Sequence, residues 1–184
     1  LGKMEQSEGV IFATPNYSFQ IAARMKNFLD RLAFIFHRPR FFGRAFMPVV
    51  TQGIFGGGAI LKYLNNMGLN FGFNVAKGCC LRTLEPETER QKKKNSARLK
   101  KASMRFYKEL MRPLPKSPSL FRLMMFRMSR TSIKLMLDEQ YKDYRYYKEK
   151  GWFESGYYHD VSLGPLKRLA GVLSDLLGRN MAGQ

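Results

Sequence analysis

Short apolar runs alternate with segments of helical period along residues 9–111, and that alternation leaves few folds open. The first run, Gly9-Val10-Ile11-Phe12-Ala13-Thr14, stops at Pro15 and reads as a buried strand of a parallel sheet. Asn16-Tyr17-Ser18 then reads as a turn, with Ser18 as the expected N-cap of a helix from Phe19 to about Phe36. Ile21, Met25, Phe28, Leu29, Leu32 and Ile35 supply the helical period, and Pro39 and Gly43 end it. The pattern repeats with a strand over Ala45–Val50, a glycine-rich loop from Thr51 to Gly58, and a helix over Ala59–Leu69. A third strand is expected over Phe73–Leu81, and Pro86 opens a long charged helix reaching about Met111. Leu1 to Glu8 reads as the end of a polar helix or a loop. Strand, turn and helix repeated in this order predict a doubly wound parallel α/β sheet, whose ligands sit at the carboxyl ends of the strands. Thr14–Ser18 and Thr51–Gly58 both fall at such ends and are expected to face one crevice.

The character changes after Arg112. Pro113, Pro115 and Pro118 read as a stiff linker, which divides the chain into an α/β part over 1–112 and a basic, mainly helical extension over 113–184. Within the extension, Ser119–Leu137 reads as a helix with Phe121, Met124, Met125, Met128 and Leu135 on one side. Asp138–His159 is rich in tyrosine around the single Trp152, and Ser162–Met181 reads as a last amphipathic helix.

Composition narrows the function classes. Of 184 residues, 45% are hydrophobic and 14% aromatic, which argues for a folded chain rather than a disordered one. The formal net charge of +18 fits either a polyanionic neighbour or a solvated basic surface. Cys79 and Cys80 are adjacent, so they form no disulfide framework and a cytoplasmic, reducing setting is expected. With two scattered histidines, His37 and His159, they make no metal site. No apolar run reaches the length of a bilayer span, and no signal peptide leads the sequence.

Gly56-Gly57-Gly58 before a helix lets backbone N–H groups approach a planar or anionic ligand, but no Gly-Lys-Ser/Thr follows it and it is not G-x-G-x-x-G. Three pieces together say more: Ser7 through Tyr17, Met25-Lys26-Asn27-Phe28-Leu29-Asp30-Arg31, and Val49-Val50-Thr51-Gln52-Gly53. In order and spacing they resemble the NADPH-dependent FMN reductase and multimeric flavodoxin family over roughly residues 7–80. The resemblance implies a flavodoxin-like doubly wound sheet, with strands 3–5 of that fold and their helices present here ahead of the C-terminal helical extension. It implies FMN as cofactor and NAD(P)H as co-substrate, with an unnamed electron acceptor. It further implies that Thr14, Asn16 and Ser18 supply polar contacts to the flavin ring, that Pro15 shapes that turn, and that Tyr17 offers a stacking face. Thr51, Gln52, Gly53, Gly56 and Gly57 would border the same ring. Asp30 and Arg31 read as structural, pinning the helix end, and no residue is assigned as a catalytic acid or base. In that family the FMN phosphate is held by a loop after the first strand, ahead of everything in this sequence. An upstream segment is therefore expected, whether removed, disordered or supplied by another chain.

A second class stays open: a non-catalytic, basic interaction module on a flavodoxin-like scaffold. For the basic segment, packing within a domain or a homo-oligomer is the first expectation, and a peripheral contact with an anionic membrane surface or acidic partner is the second. Nucleic acid is disfavoured, because no recognition module is visible. The tyrosines around Trp152 could equally cover a flavin or substrate.

Overall fold

The computed structural model describes residues 1–112 and 117–183. Pro113 and Pro115 of the expected linker lie outside the described residues, and Pro118 is buried. The chain forms two compact units, one running to Pro115 and one from Lys116.

The first unit opens with helix α1 (Gly2–Gln6) and strand β1 (Gly9–Tyr17), which turns into a two-residue strand β2 (Gln20–Ile21). Helix α2 (Ala23–Arg31) and a 3-10 turn (Ala33–Phe36) precede strand β3 (Ala45–Gln52) and helix α3 (Gly57–Asn70). Strands β4 (Asn74–Val75) and β5 (Cys79–Arg82) lead to helix α4 (Glu89–Leu110). β3 is central and pairs in parallel with β1 on one side and with β4 and then β5 on the other. β1 pairs with β2 only at Asn16 and Tyr17, antiparallel.

Alternation along β3 sorts the core onto two faces. Phe46 and Val50 join Phe12, Leu29, Ile35, Ile60 and Leu64 on the side of α2 and α3. Met47 turns the other way, with Ala76, Cys79, Ala102 and the half-buried Phe106 of α4. Helices therefore cover both faces of an open, parallel sheet, which is the flavodoxin-like architecture.

Two departures from the sequence reading have physical causes. Ser18 caps no helix. It and Phe19 have φ of 49° and 65°, forming the left-handed two-residue turn of the β1–β2 hairpin, so α2 begins only at Ala23. The third strand is split in two, because the neighbouring strand carries Pro48. The carbonyl of Phe46 accepts the Ala76 N–H, so Phe46, and with it Pro48, points its backbone at β4 and β5. Proline has no N–H to give there, and pairing lapses until Val49 meets Cys79. Gly78 fills the gap with its backbone against the Pro48 carbonyl; a Cβ at that position would lie 1.8 Å from the oxygen.

The second unit contains α5 (Leu120–Met136), α6 (Lys142–Glu149) and α7 (Pro165–Ala182). Ser119 caps α5, its hydroxyl accepting the Arg122 N–H at 3.4 Å. The tyrosine-rich stretch forms this unit's core rather than a cover for a ligand: Tyr147, Trp152 and Tyr157 are buried together with Leu123 and Phe126. Tyr147 and Trp152 meet edge to face at 5.0 Å, and the indole N–H donates to the Tyr158 carbonyl at 3.0 Å. Burial pushes the Tyr158 phenol up to about 12 and raises Tyr147 as well, so both stay neutral. Between α5 and α7 lies an ionic knot. Asp175 accepts from Arg130 at 2.7 Å, from the Thr131 hydroxyl at 2.8 Å, and from Arg127.

Candidate functional site

Because Pro15 pairs with Thr51 in the parallel ladder, β1 and β3 deliver their carboxyl ends to one place. The two loops found in the sequence meet there. The Asn16 side-chain amide donates to the Phe55 carbonyl at 3.0 Å, and Phe19 packs on Phe55 with ring centroids 5.5 Å apart. Tyr17, Phe19, Ile54 and Phe55 are all exposed and form an apolar lip around this end of the sheet. Four large apolar side chains clustered in solvent at strand carboxyl ends suit a flat ligand better than a loop of no chemical role.

The residues expected at the site divide by what they touch. Asn16 and Tyr17 border the lip, and the Asn16 Oδ1 is buried with no hydrogen-bond partner. Ser18 forms the hairpin turn beside it. Thr14 is only 3% exposed, and its hydroxyl is already engaged, donating to the Pro15 carbonyl and accepting the Ala22 N–H at 3.1 Å. It fixes the start of α2 against β1. Gln52 turns back on its own chain, and its Oε1 accepts the Gly57 N–H at 2.6 Å, capping α3. Thr51 and Gly53 flank it in sequence, Thr51 half-buried and Gly53 exposed. Gly56 holds φ at 100°, the left-handed conformation that lets the loop enter α3 without strain. Gly57 is buried, and a Cβ there would sit 2.5 Å from Gln52 Oε1 and 2.9 Å from Cys80 Sγ. Its N–H is thus occupied by Gln52, and its smallness serves packing.

Sequence reasoning passed over Phe19, Ile54, Phe55 and Arg82. Arg82, at the end of β5, donates to the Ile54 carbonyl at 3.0 Å and ties the loop from a third strand. No motif announces these residues; only unexplained apolar side chains in a loop hinted at them. Asp30 pairs with Lys26 on the surface of α2, away from any chemistry. Burial pushes the Cys79 and Cys80 thiols up, so neither is an activated nucleophile. Among the described residues no group of His, Cys, Asp and Glu could hold a metal ion, and no helix is long and apolar enough to cross a membrane.

A parallel sheet wound on both faces, with an apolar crevice at the carboxyl ends of its strands, defines the first unit as a flavodoxin-like α/β domain. Residues 1–81 match the family model of the NADPH-dependent FMN reductases, which supports that family for the first unit. The family is one of flavin-dependent oxidoreductases. No curated protein matches the chain.

Proposed function

We propose that the protein is an FMN-dependent oxidoreductase that passes reducing equivalents from NAD(P)H to an acceptor, with the flavin ring seated at the lip formed by Asn16, Tyr17, Phe19 and Phe55. The observation that carries this reading is the convergence of two strand ends on an exposed aromatic lip with one buried, unpartnered acceptor, Asn16 Oδ1. These residues fit the ring of a flavin, which is flat, apolar on its faces and edged with N–H and C=O groups. Bound FMN supplies the redox chemistry itself. Tyr17 offers the stacking face, Asn16 Oδ1 an acceptor for an edge N–H, and Phe19, Ile54 and Phe55 shelter the crevice from water. Hydride transfer between two stacked rings asks for alignment more than for an acid or base, consistent with a lip lacking His, Asp and Glu. The free thiols Cys79 and Cys80 suit a cytoplasmic setting.

Riboflavin tests the ring end separately from any phosphate contact. Titrating the protein into riboflavin or FMN is expected to quench the flavin fluorescence, and NAD(P)H oxidation with an artificial acceptor should depend on added flavin. Tyr17→Ala should weaken binding about five-fold, the loss of about 1 kcal/mol of stacking. No quenching by the wild-type protein, or equal affinity in Tyr17→Ala and wild type, would remove the lip from the function.

The alternative, a non-catalytic basic interaction module, is favoured by α4, which carries nine Lys or Arg against two Glu. A protein that binds an acidic partner or anionic surface but leaves flavin fluorescence unchanged would support it.

A further inference from the structure

Helix α7 is packed the reverse of an ordinary amphipathic helix. The side it turns to α5 is built of small and polar residues. A Cβ at Gly178 would lie 2.9 Å from the Met128 carbonyl, Gly171 sits against Arg127, Ser174 is wholly buried, and Asp175 is held by the α5 arginines. Its large apolar side chains are left out: Leu166, Leu169, Val172, Leu173, Leu176 and Leu177 are 48–72% exposed. Such a stripe on one 18-residue helix exceeds what a monomer leaves in water.

The spacing of the stripe says what covers it. Leu166, Leu169, Leu173 and Leu176 follow the alternating three-and-four step of a coiled-coil seam, and the next seam position is the exposed Asn180. A single asparagine on such a seam sets register and favours a two-stranded, parallel pair. Lys167, Arg168 and Asp175 lie off the stripe and Arg179 flanks it, so no charged side chain stands on the seam itself despite the net charge of +18. A lipid surface is a poorer fit. An interfacial helix uses its cations on headgroups, whereas Lys167 donates to the Ser117 hydroxyl at 3.0 Å and Arg168 to the Leu163 carbonyl at 2.9 Å.

We propose that α7 is the dimerisation helix of this protein, its leucine stripe pairing in parallel with the same stripe of a second copy about a two-fold axis. The interface lies wholly in the second unit, outside the residues matched by the family model. It joins the two copies through their C-terminal helices and asks nothing of the residues at the β1 and β3 ends.

Light scattering on the eluting full chain is expected to give twice the 21.4 kDa chain mass at micromolar concentration. The double variant Leu169→Lys with Leu173→Lys places four like charges across the two-fold axis and should elute as a monomer. Both positions are exposed, so far-UV circular dichroism should match the wild type. A monomeric wild type, or a double variant that keeps the wild-type mass, would overturn the proposal. So would a wild type that is monomeric in solution and sediments with vesicles of phosphatidylcholine and phosphatidylglycerol.

Discussion

Gly78→Ala is expected to destabilise the first unit by about 3–5 kcal/mol, enough to unfold a domain of ordinary stability. The added Cβ would stand 1.8 Å from the Pro48 carbonyl oxygen and 2.9 Å from its carbon, both backbone atoms of the central strand. No rotamer relieves that overlap; β3 and the chain entering β5 must move apart, and the Cys79, Ala102 and Met47 cluster opens with them. Gly58→Ala is the matched control, since a Cβ there meets nothing within 4 Å in the first turn of α3. It should be neutral or gain up to about 1 kcal/mol from helix propensity. Urea midpoints of the two variants check the pair. Equal midpoints would show that the sheet does not close on Gly78 as described.

Asp175→Asn is expected to cost about 3 kcal/mol, the lower end for a broken buried ion pair because the carboxylate keeps some solvent contact. Asp175 accepts from Arg127, Arg130 and Thr131, and removing its charge leaves two arginines facing each other without a counter-ion. Burial by itself would raise its pKa, but the bonds from Arg127 and Thr131 and the charge of Arg130 hold it below the ordinary carboxylate value. A depressed folded-state value stabilises the fold at every pH above the unfolded value, about 3.9. That contribution is lost as the pH falls below about 4 and the carboxylate takes up its proton. Helical circular dichroism followed downward in pH should therefore show the wild type losing stability in this window. The side-chain amide introduced by Asp175→Asn cannot titrate, so the variant's stability should start lower and lack this component. Identical acid profiles would remove the knot from the stability of the second unit.

The parts of the fold legible in the sequence are those written in one segment's own pattern. The run at Ala45–Val50 is a strand with apolar neighbours on both faces, and the run at Gly9–Pro15 is a strand that buries Phe12 and Thr14 but leaves Ile11 and Ala13 exposed. The period from Ile60 to Met67 is helix α3 because Leu64 and Met67 fall on one buried side. What escaped was set by contacts with other segments. The split between β4 and β5 is caused by a proline on a different strand. The hairpin at Ser18 and Phe19 uses two left-handed residues without the Gly or Asn that usually signals such a turn. For α7 the apolar stripe was plain, but the sequence could not say that the opposite side, with Gly171 and Gly178, would be the one packed on α5. At the site, the two loops were legible as strand ends and their meeting followed from the parallel order. The roles of Thr14 and Gln52 were not, because a hydroxyl or amide reads the same whether it faces a ligand or its own backbone.

The loop between β3 and α3 is tied at three residues from three directions: the Ile54 carbonyl by Arg82, the Phe55 carbonyl by Asn16, and the Gly57 amide by Gln52. A segment so anchored has little conformational freedom left to lose when a ring settles against it. Ordering even a few mobile side chains on association costs about 0.5–1.5 kcal/mol each, and a loop fixed in advance is spared most of that. A flat ligand at the proposed site would meet a surface already shaped, and discrimination between such ligands would rest on fit at the lip rather than on how readily the loop can fold around them.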